Sequence, residues 1–539
     1  MTLFRTACIA ILVIVLGGCS RSGAANQRVH APDYLVRGNT FEIKSLDPHY
    51  IDGLWEANVV GDALVGLTTD AADGTPMPGA ALSWETSPDA KTWTFHLRKH
   101  VWSDGQPVTA EDFAFAWRRI LEPARGAPYA YYLWLIKNAK AISAGQLPPS
   151  ALGVSVKDDR TLVVQLEHPA AYMLQYLLHQ AVLPVPRHVV MALGDRWAKP
   201  ENYVANGPYI PTEWVPNDHV TLIKNPRFYD AQHVRLRMII YKPTQDAMEA
   251  LKLIRAGEID TQNSVPAAEI DWMRAHLKRA LQIGPFFGSL YVIVNFEHKP
   301  FQDIRLRKAI ALAYDRETMT KKIVRLGQPP AYHLVPPHTA NYPGGASFEF
   351  VAMPYDRRLA LARRLMTEMG YGPNNHFHST YDTTPSPDAK RTFATLQAML
   401  RRIYIDIDPV TSDGQIFYKK LQAGQFEMAG AAWIGDFNDA GTFLDLLQSA
   451  SGNNYGRYNN PRYDALLERA NHTASVTERG ALLEQAEQLA LDDYAVIPTR
   501  FVLTQDIVEP YVKGWIPNLR NVNRSRWLWI DPSAKPDRG

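Results

Sequence analysis

Alternation of apolar and polar residues marks a series of strands along this chain. Between Lys91 and Arg98, the side chains of Trp93, Phe95 and Leu97 fall on one face and polar side chains on the other. A period of two residues is typical of a strand that is buried on one side. Similar apolar stretches predict further strands at residues 162–166, 220–223, 238–241, 290–295 and 403–407.

Apolar positions with helical spacing separate these strands. Four residues recur at i, i+3, i+4 and i+7 and so share one helix face, namely Phe113, Ala116, Trp117 and Ile120. The preceding segment Thr109–Asp112 predicts a capping box, with aspartate in the place of the usual glutamate. Further helices are predicted at residues 172–179, 245–257, 303–313, 357–369, 390–403, 462–471 and 477–491. This mixture indicates an α/β or α+β fold.

Composition and charge limit the possible functions. The 539 residues carry 57 lysines and arginines against 55 aspartates and glutamates, so we expect no binding to nucleic acid, which favours a basic excess. Hydrophobic residues at 46% and aromatic residues at 11% argue against intrinsic disorder. The length allows more than one lobe. Because no glycine- or serine-rich linker divides the chain, we expect strands to cross between lobes.

The first 26 residues have the pattern of an export and anchoring segment. The apolar run Thr6–Leu16 is shorter than the roughly 20 residues of a spanning helix and suits a secretory signal. It leads into Leu-Gly-Gly-Cys, which resembles a bacterial lipobox ending at Cys19. We predict a signal peptide over residues 1–18, a lipid on Cys19 and a flexible tether over residues 19–26. A plain signal peptide with an incidental Cys19 is the alternative.

Established catalytic and cofactor motifs are absent from the sequence. It contains no GxSxG, HExxH, GxGxxG or phosphate-binding glycine loop. Both cysteines lie in the first 20 residues and cannot build a metal site in the fold. The pairs His376 with His378 and Asp406 with Asp408 are spaced for one strand face, where a solvated strand edge explains them. We predict no cofactor, no metal and no enzymatic activity.

A series of short segments, taken in order, resembles a single family. The segments are SLDPH at 45–49, WTFHLR at 93–98, WSDGQPVTAEDF at 102–113, NGPY at 206–209, KNP at 224–226, YVIVN at 291–295, PFQDIRLRKA at 300–309, WIGDFND at 433–439 and YNNP at 458–461. Together they resemble the peptide-binding family of ABC-transporter substrate-binding proteins, also called solute-binding protein family 5. The likeness runs from about Leu35 to about Trp529.

The resemblance implies an α/β fold of the periplasmic binding protein-like II type, a bilobal clam with an extra lobe and mixed sheets. Lobe I would comprise residues 27–68, 190–287 and 506–539, lobe II residues 69–189, and lobe III residues 288–505. It further implies a monomer that captures an oligopeptide and delivers it to the permease and ATPase subunits of an ABC importer. The location would be periplasmic or otherwise extracytoplasmic, with a lipid anchor to the membrane.

The resemblance also points to a binding site for the amino end of a peptide. A buried carboxylate can select an ammonium group, because charge-assisted hydrogen bonds strengthen when water leaves. In the family an aspartate shortly after a tryptophan does this, and the matching residues are Asp436 and Trp433. A loop-capping aspartate and a core tryptophan are the alternatives. Gly435 would allow a close backbone approach or simply form a turn, and the peptide would bind as an added strand.

Five weaker positions are assigned to the cleft by the same resemblance. Glu56 matches a cleft acid, and Tyr129 and Tyr132 match an aromatic segment near the hinge. Tyr291 and Asn263 are further candidates for the cleft wall. The alternatives are a surface charge at Glu56, buried tyrosines and a turn asparagine.

The end that would meet a peptide carboxylate departs from the family. Basic residues of its oligopeptide binders correspond here to Gly430, Leu421 and a position near Ala389. Candidates for a replacement charge are Arg325, Lys390 and Arg391. We expect a different peptide length, or a ligand with a modified far end such as a cell-wall peptide. A sensing or recycling role and an envelope hydrolase remain alternatives to transport.

Overall fold

The computed structural model describes residues 33–534. The predicted signal peptide, the lipid site Cys19 and the tether lie outside this range. Within the described range, no helix has the length and apolar character needed to cross a membrane.

Strands and helices alternate along the described chain. Strands β1 to β18 are Tyr34–Gly38, Thr68–Asp70, Pro76–Pro78, Ala81–Thr86, Thr92–Leu97, Val154–Asp158, Thr161–Gln165, Tyr209–Val215, His219–Lys224, Met238–Lys242, Thr261–Gln262, Leu281–Val294, Phe377–Thr383, Ile405–Thr411, Met428–Ile434, Ile497–Val508, Val512–Lys513 and Trp529–Ile530. The α-helices are Leu54–Ala63, Ala110–Ile120, Ala139–Ser143, Met173–Tyr176, Arg187–Leu193, Ala247–Ala256, Ile270–His276, Ile304–Ala313, Arg316–Thr318, Tyr355–Glu368, Pro387–Arg401, Gly414–Gln422, Gly441–Leu444, Pro461–Asn471 and Val476–Asp492.

The largest sheet has ten strands in the order β14-β13-β15-β12-β16-β11-β1-β10-β9-β8. It is mixed, because β1 pairs in parallel with β10 and β11 whereas β12 pairs antiparallel with β15 and β16. The long strands β12 and β16 join the two halves of this sheet. The expected crossing of strands between lobes stays a prediction, because it depends on the lobe boundaries. The register of β12 against β16 shifts between Pro285 and Ser289 and again between Leu290 and Tyr291. Such bulges bend and twist a strand pair.

A second sheet, in the order β4-β5-β7-β6, confirms the alternation at the start of the chain. Trp93, Phe95 and Leu97 of β5 are buried and belong to one hydrophobic core. The helix Ala110–Ile120 packs into that core with the predicted face inward. The predicted capping box is present, since the Asp112 carboxylate accepts the backbone N–H of Thr109 at 2.8 Å.

Several predicted elements differ from the structure at their ends. The expected helix over 172–179 is only Met173–Tyr176, since the His179 ring nitrogen next accepts the N–H of Ala181 and starts a 3₁₀ turn. The helix expected over 390–403 begins earlier, because Ser386 caps it and Pro387 occupies its first turn. Ile403 lies between that helix and β14 rather than in the strand, although it is buried.

The SLDPH segment proves to be a buried polar link. Asp47 is 2% exposed and accepts two bonds from the Arg119 guanidinium, at 3.2 Å and 2.7 Å. It also accepts the indole N–H of Trp197 at 3.1 Å and the backbone N–H of His49 at 3.0 Å. Burial alone would raise the pKa of Asp47, but His49 and Arg119 outweigh it and hold the pKa below its ordinary value. This carboxylate therefore joins three segments that are far apart in the sequence.

Candidate functional site

The end of β15 positions the predicted acid. β15 pairs antiparallel with β12, with Trp433 opposite Ser289. The strand ends at Ile434, and the turn that follows carries Gly435 and Asp436. The Thr442 hydroxyl holds this turn, because it accepts the indole N–H of Trp433 at 3.3 Å and the backbone N–H of Asp436 at 3.4 Å. Trp433 thus positions the turn that carries the carboxylate.

Among residues 33–534, Asp436 is an acid without an ionic partner. It is half-buried, and within residues 33–534 no side chain donates a hydrogen bond to its carboxylate. Burial raises the pKa of Asp436 to about 6. The nearby His179 does not supply a positive charge, because burial and Arg520 lower its pKa to about 3. An unpaired carboxylate in a partly dry site is suited to a cation.

Tyrosines face this carboxylate. Burial and the charge of Asp436 raise the pKa of Tyr129 to about 12 and also raise the pKa of Tyr131. Burial, Tyr176 and Asp436 raise the pKa of Tyr132. The Tyr129 ring lies 5.5 Å from that of Tyr131 and 4.5 Å from the His179 ring. The Tyr132 hydroxyl is already engaged, since it donates to the Tyr176 carbonyl at 3.0 Å. The wall opposite Asp436 is therefore aromatic and neutral.

Phe437 closes one side of this site. Its ring stacks on Tyr172 at 4.9 Å and meets Tyr176 and Tyr132 edge-on at 6.1 Å and 6.4 Å. Although it follows β15, it packs against the core that contains the four-stranded sheet. This contact brings the Asp436 turn against the tyrosines of the first part of the chain. Water is thereby limited around the carboxylate, which strengthens its electrostatic interactions.

Gly435 is required by packing against the protein itself. A Cβ at this position would lie 2.3 Å from Cε1 of Phe287 and 2.9 Å from Cγ2 of Thr442. Phe287 is 1% exposed and meets Phe443 edge-on, so its ring has little room to move. The close approach expected for Gly435 is thus made to a phenylalanine ring.

Gly435→Ala should lower the free energy of unfolding by about 1–3 kcal/mol, the usual cost of an overpacked core position. Chemical denaturation of the purified protein measures it. The matched control is Gly452→Ala, since nothing lies within 4 Å of a Cβ built there. That control should stay within about 0.5 kcal/mol of the wild type. Equal stability of the two variants would show that the Phe287 ring moves aside without a cost in stability.

Glu56 has a capping role in the structure. It is fully buried at the third position of the helix Leu54–Ala63 and accepts three backbone N–H groups. The donors are Lys44 at 2.8 Å, Asp52 at 3.0 Å and Gly53 at 2.9 Å. With both oxygens engaged by the backbone, the expected contact of Glu56 with a ligand gains no support from this geometry.

The remaining predicted residues fall in two places. Tyr291 lies on β12, is 6% exposed and lines a cavity beside the site. Asn263 follows β11, is half-buried, and its side-chain oxygen has no hydrogen-bond partner among the described residues. No described contact brings Asn263 to Asp436. The structure therefore groups Asp436, Trp433 and Gly435 with Tyr129 and Tyr132.

Sequence reasoning missed Asp52. This exposed residue, four positions before Glu56, raises the pKa of Tyr129 as Asp436 does, after burial as the main cause. It forms an ion pair with Lys44. Because Asp52 and Asp436 are far apart in the sequence, no sequence motif links the two residues.

The cavity beside the site has a volume of about 310 Å³, within the range of small ligand pockets. Its wall includes Gly430 and Ala389, two of the positions at which basic residues were expected. The third, Leu421, is instead fully buried in a hydrophobic core. Further lining residues are Leu290, Val292, Tyr314, Tyr381, Thr383, Thr384, Ser386, Asp388, Thr392, Leu396, Phe417, Tyr418, Ala431, Ala432, Thr499 and Arg500.

The three proposed replacement charges do not line this cavity. Arg325 pairs with Asp271 on the surface, and Arg391 pairs with Asp388 at 2.8 Å. Lys390 is exposed. The sequence did not suggest Arg500, which lies on β16 and is far along the sequence from Arg325, Lys390 and Arg391.

No cluster of three or more metal-binding side chains occurs within residues 33–534. His376 and Asp406 are close, at 2.9 Å between Nδ1 and Oδ2, as a histidine–carboxylate pair on neighbouring strands β13 and β14. Asp408 and His378 are exposed. The His376–Asp406 pair and the exposed His378 and Asp408 are what a solvated strand edge would show.

Comparison with known proteins identifies the family. Residues 75–455 match the bacterial extracellular solute-binding proteins, family 5. The chain is 34% identical over 490 residues to the periplasmic oligopeptide-binding protein OppA of Salmonella typhimurium, covering 89% of each chain. It is also 34% identical over 510 residues to the probable deoxycholate-binding periplasmic protein YgiS of Escherichia coli, covering 93% of this chain and 94% of the relative.

A solved structure agrees with this assignment. The murein tripeptide-binding protein MppA of Escherichia coli superposes with a TM-score of 0.79 at 31% identity, over 93% of this chain and 99% of that one. The likeness confirms the predicted α/β fold of the periplasmic binding protein-like II type, while the lobe boundaries stay predictions. On the sequence match and the shared architecture, this chain belongs to family 5 of the bacterial extracellular solute-binding proteins.

Proposed function

We propose that this protein captures short peptides outside the cytoplasm and delivers them to the permease of an ABC importer. The peptide would pair with β15 from Gly430 to Ile434, where β13 no longer pairs with this strand, and its amino group would lie at Asp436. OppA relatives at 32–34% identity are named as oligopeptide-binding proteins, which supports a peptide as the ligand. The chain would act as a binding protein and not as an enzyme.

One observation carries this proposal. Asp436 is a half-buried carboxylate with a pKa raised to about 6, and no described side chain neutralises it. Leaving a charge in such a place costs free energy unless a ligand cation pairs with it. A peptide ammonium supplies that cation, and Tyr129 and Tyr131 are close enough to Asp436 for its charge to raise their pKa values.

The location and anchoring extend the proposal beyond the described residues. The Leu-Gly-Gly-Cys sequence ending at Cys19 supports a lipid-anchored protein on the outer side of a membrane. A monomer in that position would meet its permease by diffusion along the membrane surface. The relatives named as periplasmic support the same compartment.

Native mass spectrometry of the signal-processed protein, made soluble by Cys19→Ala, tests the proposal. Peptides of several masses released on denaturation are the expected result. A non-peptide ligand would contradict it, and YgiS makes a bile-acid-like molecule the first such candidate to examine.

A second candidate is a binder of modified or cell-wall peptides that acts in recycling or sensing. It is favoured by Gly430, Leu421 and Ala389, which provide none of the basic side chains found in the family's oligopeptide binders. MppA, named for a murein tripeptide, has the same fold. A single defined peptide mass in the same experiment would favour this candidate over a general oligopeptide binder.

A further inference from the structure

The cavity beside Asp436 has a defined face formed by three strands. Leu290 of β12 pairs with Ala432 of β15 on one side and with Arg500 of β16 on the other. Two residues further along β12, and therefore on the same face, Val292 pairs with Gly430. Directly paired residues project from the same face of a sheet. Gly430, Ala432 and Arg500 therefore all face the cavity, in whose wall they occur.

Tyr381 explains why position 430 is a glycine. A Cβ built on Gly430 would lie 2.5 Å from the hydroxyl oxygen of Tyr381. Tyr381 is 7% exposed and packs in the core, so it cannot move aside freely. The space that a side chain at position 430 would fill is thus occupied by a tyrosine hydroxyl. A basic group for this cavity must come from another strand.

Arg500 is that basic group. It is half-buried, its Nε donates to the side-chain oxygen of Gln328 at 2.8 Å, and no carboxylate of the described residues pairs with its guanidinium. The Tyr314 hydroxyl lies within its hydrogen-bonding reach. Asp388, the acidic residue in the cavity wall, is engaged at 2.8 Å by Arg391. A guanidinium without a carboxylate partner thus faces an otherwise neutral cavity lined by hydroxyl groups.

We propose that Arg500 makes this cavity a subsite for a carboxylate of the bound ligand. Arg500 would take the place of the basic residues that the resemblance led us to expect at Gly430, Leu421 and Ala389. The proposal rests on the proposed function, in which Asp436 holds the other end of the same ligand. A guanidinium presents a fork of donors that matches a carboxylate, and exclusion of water strengthens the contact. The hydroxyl groups of Tyr314 and Tyr381 are available as further donors.

The spacing of the two charges limits the ligand. Ala432, in line with Arg500 across the sheet, precedes Asp436 by four residues, or about 13 Å of extended chain. Arg500 lies two strands, or about 10 Å, to the side of Ala432, so Asp436 and Arg500 are about 16 Å apart. An extended peptide with its ammonium at Asp436 spans this distance in about four to five residues. The carboxylate is then either the C-terminus of a peptide of that length or an acidic side chain of a longer one. Both sources present the same chemistry to Arg500.

Isothermal titration with four peptides separates these sources. The probes are tetra-alanine, its C-terminal amide, its N-acetyl form, and an amidated tetrapeptide with glutamate as the last residue. We expect the wild-type protein to bind the amide about tenfold more weakly than the free acid. Arg500→Gln should bind the free acid about tenfold more weakly than wild type and lose nothing more on amidation. Recovery of affinity with the glutamate amide in wild type assigns a side-chain carboxylate, and lack of recovery assigns the C-terminus.

Two further variants keep the test decisive. Arg325→Gln removes an exposed arginine outside the cavity and should behave like wild type with all four peptides. Arg500→Lys keeps the charge without the fork and should bind the free acid with intermediate affinity. The proposal is overturned if Arg500→Gln keeps wild-type affinity, or if amidation costs the same in both proteins. Peptide binding that is insensitive to N-acetylation contradicts the proposed function at Asp436 instead.

Discussion

Asp436→Asn should weaken the binding of short peptides by at least about 30-fold at pH 7. Removing one partner of a buried, hydrogen-bonded charge pair costs roughly 2–5 kcal/mol, and about 2 kcal/mol corresponds to that factor. The variant should be no less stable than wild type without ligand, since burial already disfavours the Asp436 carboxylate and no described side chain compensates it. Loss of affinity without loss of stability distinguishes a ligand contact from a structural acid. Titration calorimetry and thermal unfolding measure the two quantities.

Asp408→Asn is the matched control, because Asp408 is an exposed aspartate on β14. It should leave peptide affinity within about a factor of two, as expected for surface substitutions. If Asp436→Asn bound peptides as tightly as this control, the carboxylate would have no part in recognition.

The pH dependence of binding follows from the same group. Burial raises the pKa of Asp436 to about 6, so its carboxylate becomes protonated as the pH falls through that value. A peptide amino group, with a pKa of about 8, stays charged over this range. Wild-type affinity should therefore fall about tenfold from pH 7 to pH 5, whereas Asp436→Asn should give a flat profile. In the unliganded protein the sign is opposite, since a raised pKa favours the fold below the ordinary aspartate pKa and this gain is lost above about pH 6.

Asp47→Ala should destabilise the fold by about 3–5 kcal/mol, the cost of breaking a buried ion pair by removing one partner. Arg119 would remain 1% exposed with its two bonds to Asp47 lost, and the Trp197 N–H would lose its acceptor. Arg119 would keep Asp195, whose carboxylate lies 3.0 Å away and is largely exposed, so the rescue would be partial. Urea denaturation measures the change.

The control for this prediction is Asp303→Ala, which removes an aspartate that caps the helix Ile304–Ala313 and pairs with Arg305 at the surface. A lost cap costs about 1 kcal/mol. A similar cost for Asp47→Ala would contradict the account of the SLDPH segment as a buried link.

Local patterns predicted much of the fold. The alternation of Trp93, Phe95 and Leu97 and the spacing of Phe113 and Trp117 both describe faces that the structure buries. Such periodicity works because each element buries one face regardless of its distant neighbours. It could not give the order of the ten-stranded sheet, in which β12 and β16 meet after about 200 residues of intervening chain.

The site was harder to predict because its parts come from remote segments. The resemblance gave Asp436, and the structure placed Tyr129 and Tyr132 opposite it. For Glu56 the resemblance could not reveal the three backbone donors that engage it in a helix cap. No sequence pattern pointed to Arg500, because its place in the cavity depends on strand register, which local sequence does not encode.

The most direct test of the account compares one tetrapeptide with its N-acetylated form by titration calorimetry on the wild-type protein at pH 7. Acetylation removes the ammonium and leaves the backbone and the far end unchanged. The account predicts a loss of affinity of at least about 30-fold, because the unpaired carboxylate of Asp436 would be buried without a cation. Equal binding of the two peptides would contradict it and would show that the ligand is held elsewhere.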